Sequence, residues 1–242
     1  MAFLQPQPSD PWTRQPVFRV PTVVVGVIVA LAMAHGVRTL ASPTLSAELI
    51  NDYAFFPARY SHAFLAAHNA DPGGWLERAI PFVSYMGLHN DLTHLIINSL
   101  WLLAFGPIVA RRFGGFLFLL FFLICGVAGA ATHLLFNWGS IVPVIGASGA
   151  ISGLMAAGLR LLPTQAPWAN PGEEKLAPLF SRQIVMFTIV WLAINLVFGM
   201  TGLGMGGETG QIAWQAHMGG YFAGLFLTGP LDQLRPRVNA IL

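Results

Sequence analysis

Ser148, His217, His94 and Asn98 are the side chains whose types and positions could do chemistry in this sequence. Ser148 lies in the stretch Ile141-Val-Pro-Val-Ile-Gly-Ala-Ser-Gly-Ala150, where Pro143 and glycine interrupt apolar residues just before a helix would begin. It would therefore occupy a first helical turn, whose backbone N–H groups lack intrahelical partners and whose dipole favours negative charge. Such N–H groups suit a developing oxyanion, and Gly146 and Gly149 let a substrate backbone come close. Taken alone, Ser148 reads better as a packing residue, because Gly149 and Gly153 form a small-xxx-small helix face.

His217 changes that balance. It falls about seven residues into an apolar run, which at the rise of a helix is ~10 Å below the membrane surface. A charged imidazolium there would be costly, so a neutral ring, the form a general base needs, is expected. His94 and Asn98 stand four apart on another run, about 6 and 12 Å deep by the same measure, and both can donate hydrogen bonds. Three polar stations on three runs at one depth describe a nucleophile, its base and donors for a tetrahedral intermediate.

Other chemistries lack the residues. All ten acidic side chains (Asp10, Glu48, Asp52, Asp71, Glu77, Asp91, Glu173, Glu174, Glu208, Asp232) fall outside the apolar runs or at their edges, so no carboxylate pair or proton relay is available. No H-E-x-x-H helix occurs, and His89-Asn-Asp-Leu-Thr-His94 has the wrong spacing for zinc, so neither a metal nor any other cofactor is called for. His35, His62, His68 and His133 are scattered and read as structural, and Cys125, the single cysteine, as a small packing residue.

The elements that must position these residues are membrane helices. Hydrophobic residues make up 55% of the 242 and charged residues 9%, and the mean hydropathy is +0.64. A solvated surface cannot be built from so few charges. Six apolar runs are long enough to span, near Val20–Ala41, Leu92–Ala110, Gly115–Phe136, Gly146–Leu162, Gln183–Met200 and Ile212–Thr228. The expected organisation is an all-α bundle of six transmembrane helices over 20–230, with tails at 1–19 and 231–242. Residues 42–91 form a long segment whose aromatic and polar residues suit short helices at the lipid headgroups. Pro163–Ser181 reads as a polar loop.

A signal peptide is the rival reading of the first run, which is longer than the usual signal core. Arg14, Arg19, Arg111, Arg112, Arg160, Lys175, Arg182, Arg235 and Arg237 fall on one side of six crossings, and only Arg38, Arg59 and Arg78 on the other. Both termini are therefore expected in the cytoplasm. The scattered basic residues form no stripe for nucleic acid.

Gly146-Ala-Ser148-Gly149 opening one helix, His217 followed by Gly220 and Gly224 on a later one, and His94 with Asn98 on an early one resemble the rhomboid intramembrane serine proteases. The resemblance implies a six-helix bundle in which Ser148 is nucleophile and His217 base, with no acidic third member. His94 and Asn98 would stabilise the oxyanion, His89 would lie near a water-filled cavity, and Gly220 and Gly224 would let their helix pack against that of Ser148. It implies transmembrane protein substrates met in the lipid, cut through an acyl-enzyme. Three positions depart from the pattern. Ser152 stands where an aromatic residue often packs under the base, Trp75 and Arg78 are spaced unlike a Trp–Arg pair of the first long loop, and Ala110 replaces an acidic residue ahead of Arg112 and Gly114.

Two other classes compete: a non-catalytic relative that binds transmembrane segments, distinguished by an unreactive Ser148, and a transporter or channel, which would need paired half-helices or intramembrane charges. The glycine-dense Gly199–Gly210 stretch reads as a mobile cap or a plain connection. Compact form and the absence of organelle-targeting features suggest a bacterial inner membrane. Substrate, cleavage preference and oligomeric state are not legible.

Overall fold

In the computed structural model, which describes residues 20–71, 73–162, 175–201 and 213–235, nearly all regular structure is helix. The expected tail 1–19, most of the Pro163–Ser181 loop, the glycine-rich stretch beyond Thr201 and the last residues of the C-terminal tail lie outside the described residues.

The apolar runs become α1 (Thr22–Leu40), α6 (Leu92–Phe136), α7 (Ser148–Leu161), α8 (Arg182–Thr201) and α9 (Trp214–Leu234). Among the described helices, α1, α6 and α8 are long and apolar enough to cross a membrane. Their outward faces, with Val25, Val29, Met33 and Val37 on α1 and Met186, Ile189, Val190 and Val197 on α8, are exposed and apolar. That pattern is costly in water and neutral in lipid.

The runs Leu92–Ala110 and Gly115–Phe136 are two helical arms, written together as α6, that join without a loop at Gly114, whose φ of 78° and ψ of 170° break the helix and are adopted readily only by glycine. The two arms can therefore turn back on each other without a loop. The last helix continues to Leu234, past its expected end at Thr228 and through Pro230. What holds that extra turn is Asp232, whose carboxylate accepts from Arg112 Nε and Nη2 at 2.6 and 3.0 Å. This two-pronged bond is largely shielded from solvent, and Asp232→Ala should cost ~2 kcal/mol by leaving the guanidinium without it. A thermal melt of the purified protein checks this, and an unchanged melting temperature would show the pair to be idle.

Residues 42–91 fold into α2 (Pro43–Tyr53), α3 (His62–Ala67), α4 (Trp75–Ala79) and α5 (Pro81–Ser84), with 3-10 turns at Pro57–Tyr60 and Tyr85–Gly87. Ser42 caps α2 by accepting from the Leu45 N–H, and Pro43 supplies the first-turn φ. Phe55, Tyr60 and Phe82 stack and meet edge to face at 4.8–5.5 Å. The cluster sits over the chain leading into Ser148. Phe55 and Val144 exchange backbone hydrogen bonds of 3.1 and 2.8 Å, Ala58 N–H donates to the Ser140 carbonyl at 2.9 Å, and Gly146 N–H to the Tyr85 carbonyl at 2.9 Å. Tyr85 is itself anchored, donating from its hydroxyl to the Gly126 carbonyl at 2.8 Å. The irregular backbone ahead of Ser148 is thus pinned by main-chain hydrogen bonds at Ser140, Val144 and Gly146, the kind of pairing a segment inside a bilayer needs.

Candidate active site

Ser148 is the first residue of α7, and α7 begins without a side-chain cap, so its leading N–H groups are not tied to one. Gly146 turns the chain into the helix at φ +110°, a conformation that L side chains rarely adopt. His217 lies in the first turn of α9, nearer the helix start than the seven residues counted from the sequence, because the described helix opens only at Trp214. Both reactive positions are therefore helix beginnings.

Their helices meet through small residues. A Cβ added at Gly220 would run into the Gly149 carbonyl, and one at Gly224 into the Gly153 carbonyl. Glycine on both faces lets the α7 and α9 backbones approach to direct contact. Close approach brings His217 Nε2 to 2.7 Å from Ser148 Oγ. On its other side, His217 Nδ1 lies 2.8 Å from Asn195 Oδ1 of α8.

His94 and Asn98 reach the same place from α6. Asp91 caps that helix by accepting from the His94 N–H at 2.8 Å, which sets His94 in the first turn. A Cβ at Gly146 would lie 2.7 Å from His94 Nε2 and 3.8 Å from Asn98 Nδ2, so both nitrogens face the backbone two residues ahead of Ser148. His94 Nδ1 faces the Asn90 N–H at a long 3.5 Å, and a neutral ring that accepts there carries its hydrogen on Nε2, the nitrogen turned toward Gly146. Asn98 is buried and spends one amide hydrogen on the His94 carbonyl at 3.0 Å, leaving the second for an acceptor.

His89 is fully buried just ahead of α6, edge-on to His94 with ring centroids 5.1 Å apart, and among the described residues neither of its ring nitrogens makes a hydrogen bond of good geometry. Burial first, then the neighbouring His94, lowers its pKa to about 4, so it stays neutral. Arg38 of α1 holds this turn from outside, donating to the carbonyls of His89 and Asn90 at 2.6 Å each. Ser152, one turn after Ser148, donates to the Ser148 carbonyl at 2.8 Å and presents no ring to His217.

One residue in this group was not singled out from the sequence. Asn195 is an amide in the middle of an otherwise apolar run, and that expense inside a bilayer was the available signal.

A hydroxyl in hydrogen-bond reach of an imidazole, at an uncapped helix start with two further donors aimed alongside, is an arrangement suited to acyl transfer. Comparison with known proteins bears on which lineage carries it. The Rhomboid domain family model matches residues 76–232. The chain is 32% identical over 159 residues to the Rhomboid protease GluP of Bacillus subtilis (strain 168), covering 66% of this chain and 26% of that protein. It is 32% identical over 148 residues to the mitochondrial RHOMBOID-like protein 6 of Arabidopsis thaliana, covering 60% and 41%. With RHOMBOID-like protein 5 of the same plant it shares 30% over 159 residues, covering 66% and 46%. The matched region is thus less than half the length of each of these relatives. Since the family match runs from α4 into the last turn of α9 and takes in every residue of the Ser148 site, this chain is an integral membrane protein that belongs to the rhomboid family.

Proposed function

We propose that this protein is an intramembrane serine endopeptidase that cleaves transmembrane segments of other proteins through a Ser148–His217 dyad. The observation that carries the reading is the 2.7 Å separation of His217 Nε2 and Ser148 Oγ. In the mechanism, His217 Nε2 takes the hydroxyl proton as Ser148 Oγ attacks the scissile carbonyl. The resulting oxyanion accepts from the Ser148 backbone N–H, His94 Nε2 and Asn98 Nδ2. His217 returns the proton to the leaving amine, and water, activated by the same imidazole, hydrolyses the acyl-enzyme. No cofactor enters.

Six crossings with both termini in the cytoplasm fit the charge bias, and the proposed membrane is a bacterial inner one. The cation-rich ends agree with that direction: Arg160 closes α7 about 18 Å along the axis from Ser148, while Ser148 lies beneath the aromatic outward segment. Substrate enters from the lipid side, and water reaches Ser148 from the outer face.

A fluorophosphonate probe, which needs no substrate, tests the reading: the purified protein should be labelled on Ser148. Absence of labelling in both detergent and bilayers would favour a non-catalytic binder. Asn98→Ala should slow labelling and cleavage by roughly 100-fold through loss of one oxyanion donor. A wild-type rate in that variant would remove Asn98 from the site.

A further inference from the structure

We propose that Asn195 of α8 is a positioning residue for the base, fixing the tautomer and the ring plane of His217. The inference rests on the serine-protease reading above and adds a third member to its dyad.

The argument starts from which way the amide points. Asn195 Nδ2 lies 2.9 Å from the Trp191 carbonyl one turn back on α8. A carbonyl only accepts, so the nitrogen of the amide must be on that side and the oxygen must face His217. Asn195 Oδ1 in turn only accepts, so the hydrogen in its 2.8 Å contact with His217 belongs to Nδ1. A neutral imidazole protonated at Nδ1 has its lone pair at Nε2, the atom facing Ser148 Oγ. Each bond in the chain from Trp191 to Ser148 therefore has a single donor direction, and that direction makes His217 a base toward the serine.

Asn195 is well placed to hold this geometry. Among the described residues, α8 buries only Ile184, Trp191 and Asn195, so the amide sits on the one face that α8 turns inward. That face is locked two turns long. The Trp191 ring stacks on Tyr221 of α9 with centroids 4.4 Å apart and planes 18° from parallel, and Thr188 Oγ1 lies 2.7 Å from the Tyr221 hydroxyl. Tyr221 is one turn after His217, as Trp191 is one turn before Asn195, so the stacked pair sets the register in which the amide meets the imidazole. On the α7 side, Ser152 has its hydroxyl committed to the Ser148 carbonyl and offers no ring beneath the imidazole. An amide beside the imidazole supplies what the absent aromatic would supply beneath it.

Two substitutions separate acceptor from packing. Asn195→Leu keeps the volume, suits a lipid-embedded helix and removes the acceptor. Asn195→Asp keeps the shape, and in its protonated form can donate to Trp191 while accepting from His217. With the full-length protein in detergent, the saturating fluorophosphonate inactivation rate should fall about 10- to 100-fold in Asn195→Leu, a part of what general base catalysis contributes. The half-saturating probe concentration should stay unchanged, and Asn195→Asp should restore most of the rate. In parallel, 15N NMR of histidine-labelled protein, with the His217 signals identified by their loss in His217→Ala, should show a protonated Nδ1 in the wild type and a tautomer mixture in Asn195→Leu. A wild-type rate in Asn195→Leu, or equal losses in the Leu and Asp variants, would overturn the role. Should the wild type itself fail to react, the protease reading falls, and the NMR comparison still decides Asn195: a His217 tautomer indifferent to Asn195→Leu sinks it.

Discussion

Ser148→Ala and His217→Ala should each abolish cleavage of a transmembrane substrate and fluorophosphonate labelling while leaving the protein folded. In serine proteases that share this logic, removing nucleophile or base alone costs on the order of 10^6 in turnover, about as much as removing both, because the two act as one unit. The 2.7 Å contact between His217 Nε2 and Ser148 Oγ is the unit concerned here. Neither change threatens the bundle. Ser148→Ala deletes one partly buried hydroxyl, and His217 is itself only partly buried, so the void left by alanine is small compared with a lost core aromatic. The expected pair of results is therefore a near-native thermal melt and no detectable turnover, with the double variant no worse than either single one. Retained cleavage by either purified variant would falsify the assignment.

Much of the fold was legible because a bilayer simplifies the code. Apolar runs of spanning length have one stable outcome, helix, since every backbone polar group must find a partner inside its own segment. The same economy made Ser148, His217, His94 and Asn98 stand out: each is a polar group in a place where polar groups are expensive. What composition could not reveal was how elements distant in sequence share hydrogen bonds. Nothing in Phe55 or Val144 announces their backbone exchange, because main-chain partners carry no sequence signature. The turn at Gly114 reads in advance as a break between runs, yet the chain needs no loop there. The final turn of α9 depends on Arg112, 120 residues earlier, reaching Asp232, and no local pattern anticipates it. Asn195 was missed for the opposite reason. Its signal was local, but the partner that gives it meaning, His217 Nδ1, lies on another helix.

Gly220→Val should be nearly as damaging as loss of the dyad, and by a different route. Ser148 is the residue before Gly149 on α7, and His217 lies one turn before Gly220 on α9, so the distance between the reacting atoms is inherited from the helix contact. A Cβ at Gly220 meets the Gly149 backbone and, at 3.2 Å, the Cys125 carbonyl of α6. Backbone cannot rotate out of the way as a side chain can. The helices must part, at a cost of about 1–3 kcal/mol for overpacking or more where backbone shifts are forced. A proton transfer that depends on a 2.7 Å contact does not survive such a shift. The expected result is a clearly lowered melting temperature together with fluorophosphonate labelling reduced to background. Gly26→Ala on α1 is the matched control, since a Cβ there meets nothing within 4 Å. It should keep full reactivity and, if anything, gain stability, because alanine favours helix over glycine by roughly 1 kcal/mol. Should Gly220→Val label and melt like the wild type, the α7–α9 contact would not be what holds Ser148 against His217, and the site would have to be positioned by the outward segment instead.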